Sequence, residues 1–385
     1  MHNTDEKICT HFGEDPFQNN GAVNPPIYQT SLFAFKNFKE FTEAQNSERE
    51  NYVYSRGVNP TVEVLEKKLA ALEMGEKCKC FGSGMGAISA VFFSILKAGD
   101  HVLFINNIYG PTTQLIKYLH RFNITYDFVD HELNNIDNAI KDNTKMIYVE
   151  SPGTMLMKVV DLQEVAKKAK GRGIITAIDN TWSTPIFQKP LTLGFDLSIH
   201  SLTKYIGGHS DVIGGAIIGD STLIDEIFTY GYQLNGSVLS ANDAYLIIRG
   251  LRTLPLRLKK HQENTLKVIN YLQSKEEIER IHHPVLVKDN LPFLYKQMKG
   301  FSGLLSFELK QANFASVCKF IDGLSLFKIG VSWGGFESLV NSPVKEGNEK
   351  LLIQQGISPG LIRLSIGLEG ADLQISDLES AFQQL

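Results

Sequence analysis

Lys79-Cys80-Phe81-Gly82-Ser83-Gly84-Met85-Gly86-Ala87 sets a short apolar run, a loop of small residues and the start of an apolar helix, Ala87–Leu96, in one line. The order is strand, loop, helix. Small residues let a backbone approach an anion, and a helix start offers unpaired N–H groups at the positive end of its dipole. Each charge-assisted bond to a phosphate there contributes roughly 1.5–3 kcal/mol. The loop alone leaves three readings open. It suits a phosphate. Gly82-x-Gly84-x-x-Ala87 also fits the alanine form of the dinucleotide fingerprint, and a tight strand-to-helix turn needs no ligand. The dinucleotide form calls for an acid after the next strand, where Asn106-Asn107 stands.

The same alternation extends on both sides. Upstream, Asn59-Pro60 is a cap followed by an N1 proline, and Leu65, Leu69 and Leu72 give the helix an apolar face until Gly75. Short apolar strands are expected at Lys79–Phe81, Val102–Ile105, Ile124–Val129, Met146–Val149 and Ile174–Ile178, with helical segments between most of them. This is an α/β pattern with a mainly parallel sheet covered on both faces. Residues 1–58, rich in Asn, Pro and aromatics, read as an extended arm with no core of its own. Residues 59–244 read as a large domain. From 245 to 385 the helices Asp243–Leu251 and Leu258–Leu272, the strands Leu304–Leu309 and Leu361–Ile366 and the helix Ile375–Leu385 suggest a smaller α/β domain.

The balance of 38 basic and 42 acidic side chains over 385 residues, net −4, points away from nucleic acid or a membrane surface and toward a small-molecule substrate. The cysteines Cys9, Cys78, Cys80 and Cys318 show no zinc spacing and no disulfide framework, so no metal is expected. Cys78 and Cys80 alternate onto one face of a strand. The polar, acidic start Met1–Glu6 lacks the features of a signal peptide, and the cytoplasm is the expected compartment.

Ligands of open α/β sheets gather beyond the carboxyl ends of the strands. Tyr109-Gly110 follows the second strand, and its ring either lies against a heterocycle or packs at a helix start. Asp179-Asn180-Thr181-Trp182 follows Ile174–Ile178. A carboxylate there needs a partner, which a cationic ring nitrogen supplies; capping the following turn is the alternative. Lys204 lies in Ser198-Ile199-His200-Ser201-Leu202-Thr203-Lys204-Tyr205-Ile206-Gly207-Gly208-His209-Ser210-Asp211, among apolar residues, hydroxyls and glycines. A desolvated lysine has a lowered pKa and suits Schiff-base chemistry. His209 reads as a structural hydrogen-bonding residue.

In this order the motifs resemble the Cys/Met-metabolism (trans-sulfuration) family of pyridoxal-phosphate (PLP) enzymes over nearly the whole chain. The resemblance rests on Tyr54-x-Arg56-Gly57, Gly82–Met85, Tyr109-Gly110, Glu150-Ser151-Pro152, Asp179-Asn180-Thr181, Ser201-x-Thr203-Lys204-Tyr205, Gly334-Gly335-x-Glu337-Ser338-Leu339 and Ile362-Arg363-Leu364-Ser365. It implies the fold of the aspartate aminotransferase type (fold type I) and pyridoxal 5'-phosphate as cofactor. It implies Lys204 and Tyr109 as catalytic residues, with Lys204 holding the cofactor and Tyr109 stacked on it. Asp179 is then the partner of the ring nitrogen, and Gly84, Met85, Ser201 and Thr203 form the phosphate cradle. Tyr54 and Arg56 reach the phosphate of a neighbouring subunit, in a homotetramer built from dimers with shared sites. Arg363, helped at Ser332, takes the carboxylate of a sulfur amino acid. Freed Lys204 then removes the Cα proton, and a thiolate leaves.

Trp333 stands where γ-directed members more often show a small or aliphatic residue, so it is expected to shape the substrate pocket. Thr154-Met155 stands in place of the commoner Asn-Pro, as in some β-lyases, and Pro111 stands where methionine γ-lyases carry a cysteine. These features favour the cystathionine β-lyase branch. The alternatives are a cystathionine γ-synthase, a γ-lyase or an O-acylhomoserine sulfhydrylase, and, from other classes, a nicotinamide-dependent oxidoreductase or a non-catalytic scaffold.

Overall fold

The computed structural model describes residues 4–287 and 291–385; the first three residues of the acidic start lie outside them. Helices α1 (Asp5–His11) and α2 (Phe38–Gln45) precede α3 (Pro60–Glu73), whose start is set by its sequence: Pro60 occupies N1, and the Asn59 side chain accepts the Thr61 N–H at 3.0 Å. Leu65, Leu69 and Leu72 are fully buried in one stripe, and burying each contributes roughly 1.5–3 kcal/mol. The helix ends on Met74 in the left-handed region, φ 59, one residue before the expected glycine. Gly75 answers to packing instead. A Cβ there would stand 2.5 Å from Ile218 Cγ2.

Seven strands make the large sheet: β1 (Lys77–Phe81), β2 (His101–Ile105), β3 (Thr125–Val129), β4 (Thr144–Glu150), β5 (Ile175–Asp179), β6 (Leu197–Ser201) and β7 (Gly215–Gly219). Their order is β1-β7-β6-β5-β4-β2-β3. Neighbours from β6 to β3 run parallel, as the αβ alternation requires, while β7 is antiparallel to both β6 and β1. Strands β6 and β7 add to the five expected from apolar runs. Side-chain alternation divides the core across this sheet. Ile217 packs with Phe81, Phe92 and Tyr148 on the side of α4 (Gly84–Ile95), while Ile218 packs with Leu65, Cys78 and Cys80 on the side of α3. Burial raises both thiols' pKa, which suits packing rather than reactivity.

The first 58 residues are not extended throughout. Ile8 and Cys9 of α1 are buried against α3, and Lys68 Nζ holds this contact by pairing with Glu14 at 2.9 Å and donating to the Ile8 carbonyl at 3.2 Å.

A second sheet of β8 (Ile278–His282), β9 (Leu304–Leu309), β10 (Lys328–Ile329), β11 (Leu339–Asn341) and β12 (Leu361–Ser365) has the order β10-β11-β12-β9-β8. Only the β10–β11 pair is parallel. The helix Ala371–Phe382 packs on it through Leu378, Ala381 and Phe382. No helix among the described residues is long and apolar enough to cross a membrane. No group of three or more His, Cys, Asp or Glu is placed there to hold a metal ion.

Candidate active site

The carboxyl ends of β4, β5 and β6, the starts of α4 and α5 (Gly110–Leu119) and the edge of the second sheet surround one cavity of about 510 Å³. Lys204, three residues beyond β6, faces into it. Its Nζ donates to Ser332 Oγ at 2.9 Å and lies 5.3 Å from the Trp333 ring. Burial, reinforced by the Arg363 charge, lowers the Lys204 amine from 10.5 to about 8. Such an amine is partly neutral, and so nucleophilic and basic, near physiological pH. The Tyr205 ring packs against Trp333 at 5.5 Å, and its hydroxyl accepts the Gly303 N–H at 2.8 Å, tying the lysine loop to the second sheet.

Asp179 ends β5. Its Oδ1 accepts the Thr181 N–H at 3.0 Å, and Thr181 Oγ1 in turn accepts the Ser201 N–H at 2.8 Å. Burial raises the Asp179 pKa against the opposing fields of His200 and Lys204. The carboxyl thus sits where a cationic partner would hold it ionised. The start of α4 enters the same cavity with Gly84 and Met85. Ser83 caps this helix by accepting the Gly86 N–H at 2.9 Å. A Cβ at Gly84 would stand 3.0 Å from Ser201 Cβ, so glycine lets this helix start sit close against the end of β6. Ser201 and Thr203 line the same cavity beside it, and Thr203 Oγ1 accepts the Gly214 N–H at 3.1 Å. Tyr109, 45% exposed, presents a free ring at the cavity.

Arg363 reaches in from the middle of β12. It is 8% exposed, and its Nη2 donates to the Val331 carbonyl at 3.1 Å. The resemblance puts help for Arg363, from a backbone or hydroxyl group, at Ser332. The Ser332 hydroxyl serves Lys204, and the carbonyl one residue earlier holds the arginine, because that carbonyl lies within reach of Nη2. His209 makes the structural bond expected of a loop histidine, to the Gly207 carbonyl at 2.8 Å.

Tyr54 and Arg56 are not brought to this cavity within one chain. They line a separate cavity of about 350 Å³ with Tyr28, Gln29 and Ser240, and Arg56 donates to Gln233 Oε1 at 3.3 Å. Glu150 is among the cavity residues whose role was not legible in the sequence. Glu150 ends β4 and accepts the Tyr109 N–H at 2.7 Å. The signal available was its place at a strand's carboxyl end, beside Ser151-Pro152.

The residues present fit a pyridoxal phosphate: an amine of lowered pKa, a half-buried carboxyl in need of a cation, an aromatic ring at the cavity, and a helix start closed by glycine and hydroxyls. Comparison with known proteins agrees. The family model for Cys/Met metabolism PLP-dependent enzymes matches residues 6–383. The chain is 40% identical to an L-methionine gamma-lyase of Fusobacterium nucleatum subsp. polymorphum, covering 95% of this chain and 94% of that one. It is 38% identical to a cystathionine beta-lyase of Lactococcus lactis subsp. cremoris, covering 97% of each. The crystal structure of a cystathionine gamma synthase from Xanthomonas oryzae pv. oryzae, in complex with aminoacrylate and cysteine, superposes with a TM-score of 0.91 at 34% identity, over 100% of this chain and 99% of that one.

Proposed function

The chain belongs to the Cys/Met-metabolism family of PLP-dependent enzymes, and on that premise we propose that it is a carbon–sulfur lyase that splits L-cystathionine at Cβ, yielding homocysteine, pyruvate and ammonia. The observation that carries the choice of carbon is Trp333. Its indole lines the cavity, packed on Tyr205 and beside the Lys204 amine. A bulky wall there restricts the poses in which Lys204 reaches protons beyond Cα, and a γ-elimination needs a second proton removed, at Cβ.

When bound, PLP supplies the electron sink that makes the Cα proton removable. Lys204 would hold the cofactor, and its freed amine would accept that proton; Ser332 keeps its Nζ oriented. Asp179 would supply the negative charge that partners the ring nitrogen. Gly84, Met85, Ser201 and Thr203 take the phosphate at the start of α4. Arg363 grips the substrate carboxylate in a bidentate fork, steadied by the Val331 carbonyl. Tyr109, at the cavity, would lie against the cofactor ring. Tyr54 and Arg56, exposed and outside the Lys204 cavity of their own chain, complete the site of a neighbouring protomer in a homotetramer built from dimers, and the enzyme acts in the cytoplasm. Purified enzyme supplied with L-cystathionine tests the reading. Pyruvate is the expected keto acid; 2-oxobutyrate would mean γ-elimination and would overturn the assignment, as would activity confined to an activated homoserine plus cysteine.

A further inference from the structure

Glu150 contributes a buried carboxyl to the cavity that the mechanism above does not use. It is 8% exposed. Its Oε2 accepts the Tyr109 N–H at 2.7 Å, and the Thr154 N–H close by goes to the Asn107 carbonyl at 3.2 Å. These bonds join the start of α5 to the turn 151–158. That turn is strained, since Met155 and Met157 take φ of 67 and 50, and such strain persists only where surrounding contacts enforce it. Across the cavity, the Arg363 guanidinium makes no ion pair among the described residues. Its hydrogen bond goes to a neutral carbonyl, and Glu150 is the carboxyl whose field reaches it.

We propose that Glu150 is a positioning residue for substrate: its carboxyl fixes the Tyr109 backbone, and its charge state tunes how strongly Arg363 grips the substrate carboxylate. This rests on Arg363 being the carboxylate receptor. With Glu150 protonated, the arginine's charge is free for an incoming carboxylate. With Glu150 ionised, a second carboxylate must enter beside the first, and binding weakens. Burial and the neighbouring Asp179 raise the Glu150 pKa above the usual carboxylate range. Besides Asp179 on β5, the titratable or charged groups around Glu150 are Tyr109 at the start of α5, Tyr148 on β4 itself, Lys204 beyond β6 and Arg363 on β12.

The test uses 3-(methylthio)propanoate, a sulfur-bearing carboxylate without an amine, which cannot react at Lys204. Its dissociation constant is measured by calorimetry on the PLP-loaded enzyme from pH 6.5 to 9. In the wild type the constant is expected to rise roughly five- to tenfold across that range. In E150Q, whose amide oxygen still accepts the Tyr109 N–H, it should stay within about twofold. E150A removes the anchor as well and should weaken binding at every pH. Equal pH slopes in wild type and E150Q, with R363A abolishing binding, would overturn the role of Glu150 and leave Arg363 standing. Unchanged binding in R363A would overturn the receptor assignment, and the inference with it.

Discussion

Replacing Lys204 by methionine should stabilise the cofactor-free protein. The lysine amine sits largely buried beside Arg363, and its pKa is lowered from 10.5 to about 8. A depression of about 2.5 units corresponds to roughly 3 kcal/mol of unfavourable free energy when the amine is charged. The hydrogen bond to Ser332 returns roughly 1 kcal/mol, so Lys204→Met should gain about 2 kcal/mol at pH 7. The dependence on pH follows from proton uptake. Because the folded pKa lies below the unfolded one, the unfolded chain holds the extra proton between about 8 and 10.5. Wild-type stability therefore rises relative to the variant across that window. The deficit is complete below 8 and gone above 10.5. Urea unfolding of both apoproteins at several pH values reads the difference directly, and other titrating groups cancel in it. A gap that does not change between pH 7 and 10, or a variant less stable than the wild type at pH 7, would refute the claim that this lysine is held in an environment hostile to its charge.

Lys79 is another buried cation, paired with Glu66 at 3.1 Å, donating to the Gly57 carbonyl at 2.9 Å and lying 4.4 Å from the Tyr232 ring. Lys79→Met strands a buried carboxylate and should lower unfolding free energy by about 3–5 kcal/mol, read by denaturant melts. In the second sheet's domain, Asp377 accepts from Ser325 N, Ser325 Oγ, Leu326 N and Phe327 N at 2.7–3.0 Å, bonds that lower its pKa against the effect of burial. Asp377→Ala should lower stability by about 2–4 kcal/mol at pH 7. Since the folded pKa lies below the unfolded one, that difference should be present above the ordinary aspartate pKa and fade as pH falls through the lowered one. Arg363→Lys retains the charge but loses the planar fork, and should raise KM for cystathionine by roughly tenfold or more, with a smaller effect on kcat, in steady-state assays.

Much of the fold was legible because apolar runs and caps speak locally. The expected strand Leu304–Leu309 matches β9, and Asn59-Pro60 opens its helix as read. Strand β6 was hidden because Leu197-Ser198-Ile199-His200-Ser201 mixes polar residues into a buried strand. Ser198 and His200 are tolerated there because both face the buried Glu73 carboxylate. Strand β7, Gly215-Ala216-Ile217-Ile218-Gly219, begins and ends on glycines that read as loop. The glycines are there for contact: a Cβ at Gly215 would meet the Ser83 carbonyl oxygen at 2.2 Å, so this strand's edge lets the α4 loop sit down on the sheet. At the site, Lys204 and Asp179 stood out as charged residues in apolar or small-residue surroundings. Glu150 did not, because its meaning comes from Tyr109, forty-one positions away, and from Arg363 on the other sheet.

The account turns on Lys204 as the residue that holds the cofactor. Borohydride reduction of the PLP-loaded enzyme, followed by proteolysis and mass spectrometry, should place the reduced pyridoxyl group on the peptide containing Lys204, with the yellow colour lost. The label on another lysine, or no covalent label in an enzyme that still splits cystathionine, would contradict it.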